Sequence, residues 1–116
     1  MIDREWVEEP RSLSEIMDAE NELFDKVWYN RHQNWLYEIE TGKQKIVNVK
    51  EYKREPSNWV TPTHVYNAAR KAAEKVEKKY GSENLGPWDD FEWGMLNGKL
   101  SALRWVTGSE WDFLDT

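Results

Sequence analysis

From Leu13 to Trp28 the apolar residues return every three or four positions. Wound at about 100° per residue, Leu13, Ile16, Met17, Leu23, Phe24, Val27 and Trp28 gather on one side of a helix. Glu15, Asp18, Glu22 and Asp25 gather on the other. A strand would scatter both sets over two faces, so the segment is committed to a helix. Ser12 followed by Glu15 has the spacing of a capping box and marks its start. The pattern continues through Trp35, Leu36 and Ile39 to Gly42, a natural residue just past a helix end. The first helix is therefore expected over about 12–41. For residues 35–49 a second reading stays open, in which Trp35–Glu40 and Lys45–Val49 pair as a short hairpin around Thr41-Gly42.

Two more helices follow. Thr61 with Pro62 at the first helical position opens one over 61–80. Val65, Ala68, Ala69, Ala72, Val76 and Tyr80 form its stripe, and Gly81 stops it. Asp89 or Asp90 caps another over 89–107, with acids in its first turn and Gly108 beyond its end. Its apolar arc is the widest of the three, which predicts that this helix is the buried hub. The prediction is an all-α fold, a small bundle of three main helices. Residues 43–60, with Pro56, form a basic irregular linker, and a C-terminal tail returns Trp111, Phe113 and Leu114 to the core. The chain reads as one domain over 1–116, with residues 1–11 an arm broken at Pro10.

What fills the core is unusual. Apolar residues make up only 39% of the chain, yet sixteen residues are aromatic and eight of these are Trp. Disordered chains are poor in such rings, and each one buried removes roughly 150–250 Å² from water. A few large anchors can thus stand in for many aliphatic ones. Cys is absent, which removes disulfides and thiolate metal sites. Met1–Trp6 has no apolar stretch of a secretory leader, and no run is long enough to span a bilayer, so a cytoplasmic location is expected.

Charge is segregated. Residues 1–40 carry eleven acids and four bases, residues 41–80 four acids and ten bases, and residues 81–116 seven acids and two bases. Folding the middle against the ends would neutralise the chain; otherwise opposed faces await charged partners.

Several constellations can be tested for chemistry. Glu20 falls on the apolar side of the first helix, and Glu92 and Lys99 on that of the last. Buried charges must pair, so a Glu20–Lys99 or Glu92–Lys99 contact is expected, with Asn97 and Arg104 at the rim of a buried polar constellation. Gly94, Gly98 and Ser101 form a small-residue face. Glycine inside a helix costs roughly 0.5–1 kcal/mol relative to Ala, which predicts a compensating close helix contact within the chain or across a homodimer. Glu15, Asp18, Glu22 and Asp25 could hold Mg²⁺ or Mn²⁺ for hydrolysis of a nucleotide or similar anion. The paired-carboxylate order is nevertheless reversed relative to that of all-α nucleotide pyrophosphohydrolases, since Glu15-x-x-Asp18 and Glu22-x-x-Asp25 come before Glu74-x-x-Glu77, which also lies among lysines. His32 and His64 lack a Glu three residues earlier, so no E-x-x-H metal motif exists, and each is expected at the surface or at its boundary with the core. No catalytic residue is assigned. Trp35, Tyr37, Tyr52 and Trp59 with Lys43, Lys45, Lys50, Lys53 and Arg54 could contact a single-stranded nucleic acid, a reading disfavoured by the net charge of −6.

The segment Asp90-Phe-Glu-Trp-Gly-Met-Leu-Asn-Gly-Lys-Leu-Ser-Ala-Leu-Arg-Trp-Val-Thr-Gly-Ser-Glu-Trp-Asp-Phe-Leu-Asp-Thr116 resembles the C-terminus of small uncharacterised bacterial and phage proteins. The resemblance covers about the last quarter of the chain and implies no activity. The function expected from the residues is a non-enzymatic protein-interaction module that binds a protein partner or itself. The metal-dependent hydrolase is the alternative, and the nucleic-acid binder the second alternative.

Overall fold

The computed structural model describes residues 8–111. Over these residues the fold is mostly helical, with four α-helices and one small parallel sheet. In chain order these are α1 (Leu13–Glu40), β1 (Lys45–Val47), α2 (Val49–Arg54), β2 (Val60–Pro62), α3 (Thr63–Tyr80) and α4 (Asp90–Val106), with a 3₁₀ turn at Ser82–Asn84 before α4.

α1 begins where its local chemistry dictates. Ser12 accepts the Glu15 backbone N–H, and the Glu15 carboxylate accepts the Ser12 N–H, each at 3.1 Å. The helix runs unbroken to Glu40, so the hairpin over 35–49 does not form. Gly42, at φ +81°, closes the end by donating to the Ile39 carbonyl.

The 43–60 linker is more ordered than its composition suggests. β1 and β2 pair in parallel, Ile46 opposite Thr61, with the short α2 as their crossover. Asn48 caps α2 by accepting the Glu51 N–H at 2.8 Å. The buried Gln44 amide donates to the buried Thr61 hydroxyl at 2.6 Å. The fold is therefore not purely all-α, and α3 starts two residues later than expected. Thr61 and Pro62 are taken by the strand, and the Thr63 hydroxyl ties the helix start to the Val47 carbonyl at 3.0 Å.

α1 is the spine, and both longer helices pack along it antiparallel. Toward α3, the Tyr80 hydroxyl donates to Asp25, the Tyr29 hydroxyl donates to Glu77 and Trp35 meets Tyr66, in reversed order along the two helices. Toward α4, the Thr107 hydroxyl donates to Glu20, and Arg104 lies over the Phe24 ring. Tyr29, Ala73, Val76 and Leu85 make one buried cluster, while Val27 on α1 and Leu100 on α4 are fully enclosed. The expectation that the last helix is the hub is overturned. α4 lies to one side of α1 and buries only the face around Leu100.

Candidate interaction surface

The polar constellation does not assemble. α4 turns Leu96, Leu100 and Leu103 inward, and Lys99, about 100° from Leu100, is exposed. Among the described residues the ion pairs are Arg11–Glu15 and Lys26–Glu22, and neither involves Lys99. Glu92 is exposed and engaged in a capping box: Asp89 accepts its N–H at 2.8 Å, and its carboxylate accepts the Asp89 N–H at 3.1 Å. Glu20 is half-buried and accepts from Thr107 at 2.7 Å. The Asn97 amide donates to the Trp93 carbonyl one turn earlier. Arg104 rests its guanidinium 5.6 Å from the centre of the Phe24 ring. Lys99 and Glu92 share only the wall of an open hollow of about 350 Å³ with Glu22, Lys26 and Trp88. An apolar arc extending nearly round the helix left its inward direction undetermined, and the three leucines decided it.

The acidic stripe of α1 is also dispersed. Glu15 serves the cap, Glu22 pairs with Lys26 at 3.0 Å, and Asp25 accepts from Tyr80 at 2.8 Å. Among the described residues no group of three or more His, Asp and Glu could hold a metal ion, so Glu15, Asp18, Glu22 and Asp25, the alternative Mg²⁺ or Mn²⁺ site, are not brought together there. The basic aromatic linker is split. Lys43 sits over the exposed Trp59 at 5.0 Å, whereas Trp35 turns away toward His32 and Tyr66. No described helix is long and apolar enough to cross a membrane.

A ring cluster between α1 and α3 escaped the sequence reading. Trp28 stacks on His32 at 5.0 Å, His32 meets Trp35 at 5.6 Å, and Trp35 meets Tyr66 at 5.8 Å. Trp28, His32 and Trp35, with Val65 and Ala69, line a cleft of about 310 Å³. His32 is buried rather than at the surface or its boundary, and among the described residues its Nε2 has no hydrogen-bond partner. Burial first, then the nearby Arg70, holds the imidazole below its ordinary pKa, with Glu77 opposing. The signal was present as Trp28, His32 and Trp35 at i, i+4 and i+7, which places all three on one helix face.

The outer face of α4 is the largest departure from an ordinary soluble helix. Opposite Leu100 lie Phe91 at 76% exposure, Trp105 at 53% and Met95 at 45%. Gly94 and Gly98 lie between them, and a Cβ added at either would meet nothing within 4 Å. The close contact predicted for Gly94, Gly98 and Ser101 is thus absent within the described residues. The two glycines are bare to solvent, and Ser101 is half-buried. Trp111 leans edge-on against Trp105 at 5.1 Å while itself 61% exposed, and Phe113 and Leu114 lie outside the described residues.

No family model matches this chain, and no match was found among curated proteins or solved structures.

Proposed function

We propose that this chain is a non-enzymatic protein-interaction module whose working surface is the outer face of α4. The observation that supports it is the row Phe91, Met95 and Trp105, exposed on the side of α4 opposite its packed leucines. A helix that is apolar on two opposite faces is stable when both faces are covered. Large apolar patches on otherwise soluble proteins mark interaction sites. The acidic face of α1 is the weaker surface, because Glu15, Glu22 and Asp25 already have partners within the chain.

A photo-crosslinking amino acid placed at Phe91 or Trp105 in the expressing cell tests this reading. Covalent protein adducts are expected at both positions and not at Lys71, on the exposed face of α3. Equal labelling at all three, or none at positions 91 and 105, overturns it.

A further inference from the structure

Resting on that reading, we infer that the partner is a second copy of this chain, packed α4 against α4 in antiparallel orientation about Gly98. The outer face, on which Ser101 and Ala102 are half-buried and the rest exposed, is nearly mirror-symmetric around that residue. Phe91 and Trp105 lie seven positions to either side, Gly94 and Ala102 four, and Met95 and Ser101 three. At about 100° per residue all six fall within about 60° of Gly98. Turning a copy end for end therefore sets Phe91 beside the partner's Trp105 twice over, and opposes small residues at the centre. Such a self-complementary patch is what a two-fold contact requires. The bare glycines let the helix axes approach closely, and the aromatic rings clamp the two ends.

Charge selects the orientation. Asp90 and Arg104 lie on one flank of the face, Glu92 and Lys99 on the other. The reversed copy brings Asp90 level with the partner's Arg104, which rests on its own Phe24 ring, and Glu92, which caps its own helix, within a lysine's reach of the partner's Lys99. A parallel copy would instead align acids with acids at one end and bases with bases at the other. Like charges so opposed are repelled. One helix pair lies at the small end of specific interfaces, so a dissociation constant on the order of micromolar is expected.

Sedimentation velocity of the full chain across roughly 1–200 μM is the test. The mass should move from one 13.9 kDa chain to two as concentration rises. Gly98→Glu should remain monomeric with unchanged far-UV dichroism, since a Cβ there meets nothing within 4 Å among the described residues. Lys99→Glu should weaken the dimer several-fold by opposing two carboxylates. Orientation is read from spin labels attached through Ser109→Cys, a unique site in a chain without cysteine. A separation of roughly 30 Å fits the reversed arrangement, whereas a parallel one brings the labels to within about 15 Å. A monomer at every concentration, a dimer indifferent to Gly98→Glu, or the short label distance overturns the inference. If the pure chain stays monomeric while crosslinkers at Phe91 and Trp105 capture a different protein, the interaction surface stands and the self-pairing falls.

Discussion

His32 shows how a single group can carry a pH dependence. It is enclosed by Trp28 and Trp35 with Nε2 unpartnered, and its folded pKa lies below the ordinary 6.5. The unfolded chain therefore binds the proton more readily than the folded one. The neutral ring's contribution is fully present above about pH 6.5 and is lost as pH falls toward the folded pKa. Urea midpoints should drop between pH 7.5 and 5.5, with the His32 ring protons titrating late by NMR. His32→Phe keeps the ring stack and removes the orphaned nitrogen. It should flatten that slope and raise stability at pH 7 by about 1 kcal/mol. Tyr29 behaves oppositely at the alkaline end. Burial first, and then its hydrogen bond to Glu77, push the phenol up to about 12. The protonated phenol's contribution holds below pH 10 and disappears as pH rises through about 12. Burial and the hydrogen bond to Asp25 hold the Tyr80 phenol up as well, so ultraviolet titration should find two late tyrosines, and Tyr29→Phe should remove one of them at a cost of about 1–2 kcal/mol at neutral pH.

At the scale of elements, α4 is the informative helix. Its capping box and its leucines are sufficient to hold it on α1, so the two interior glycines are not needed for packing within the chain. Neither has a positive φ, and a methyl group at either meets empty space. Gly94→Ala should therefore stabilise the dilute monomer by about 0.5–1 kcal/mol through backbone entropy alone, seen as a higher urea midpoint. A loss of stability in the monomer would mean that the glycine faces a neighbour after all. The β1–α2–β2 unit works differently. Its strands are three residues each and are held by side chains, Gln44 to Thr61 and Thr63 to the Val47 carbonyl, as much as by the ladder itself.

The whole molecule is spread out for its length. Its radius of gyration is 18.7 Å, against roughly 13 Å for a compact chain of this size. Both α3 and α4 lie along one spine, and among the described residues the buried apolar set is Val27, Tyr29, Ala73, Val76, Leu85 and Leu100. Leu13, Met17 and Phe24 on α1 are at least 44% exposed, beyond the row on α4. So small a core leaves little stability in reserve. Covering the α4 face should add to it by mass action. The thermal midpoint is expected to rise by several degrees as concentration is raised from about 1 to 100 μM, and to stay flat for Gly98→Glu.

Helix identity and helix ends were decided locally. The Ser12–Glu15 and Asp89–Glu92 boxes, the Gly42 and Gly81 stops and the 3.6-residue stripe of α1 all act through residues a turn apart, so the amino-acid order alone determines them. Which way α4 faces was not local. Lys99 and Leu100 differ by one position, and only the fit of three leucines against α1 chose between burying one and the other. The same holds for Thr61-Pro62, equally suited to opening a helix or to ending a strand until Lys45–Val47 arrived beside them. Burial of His32 likewise needed α3 to close over a ring set that α1 merely aligned. Short-range hydrogen bonds are written into neighbouring residues, whereas the choice of buried face is a competition among surfaces distant in the chain, and only tertiary packing resolves it.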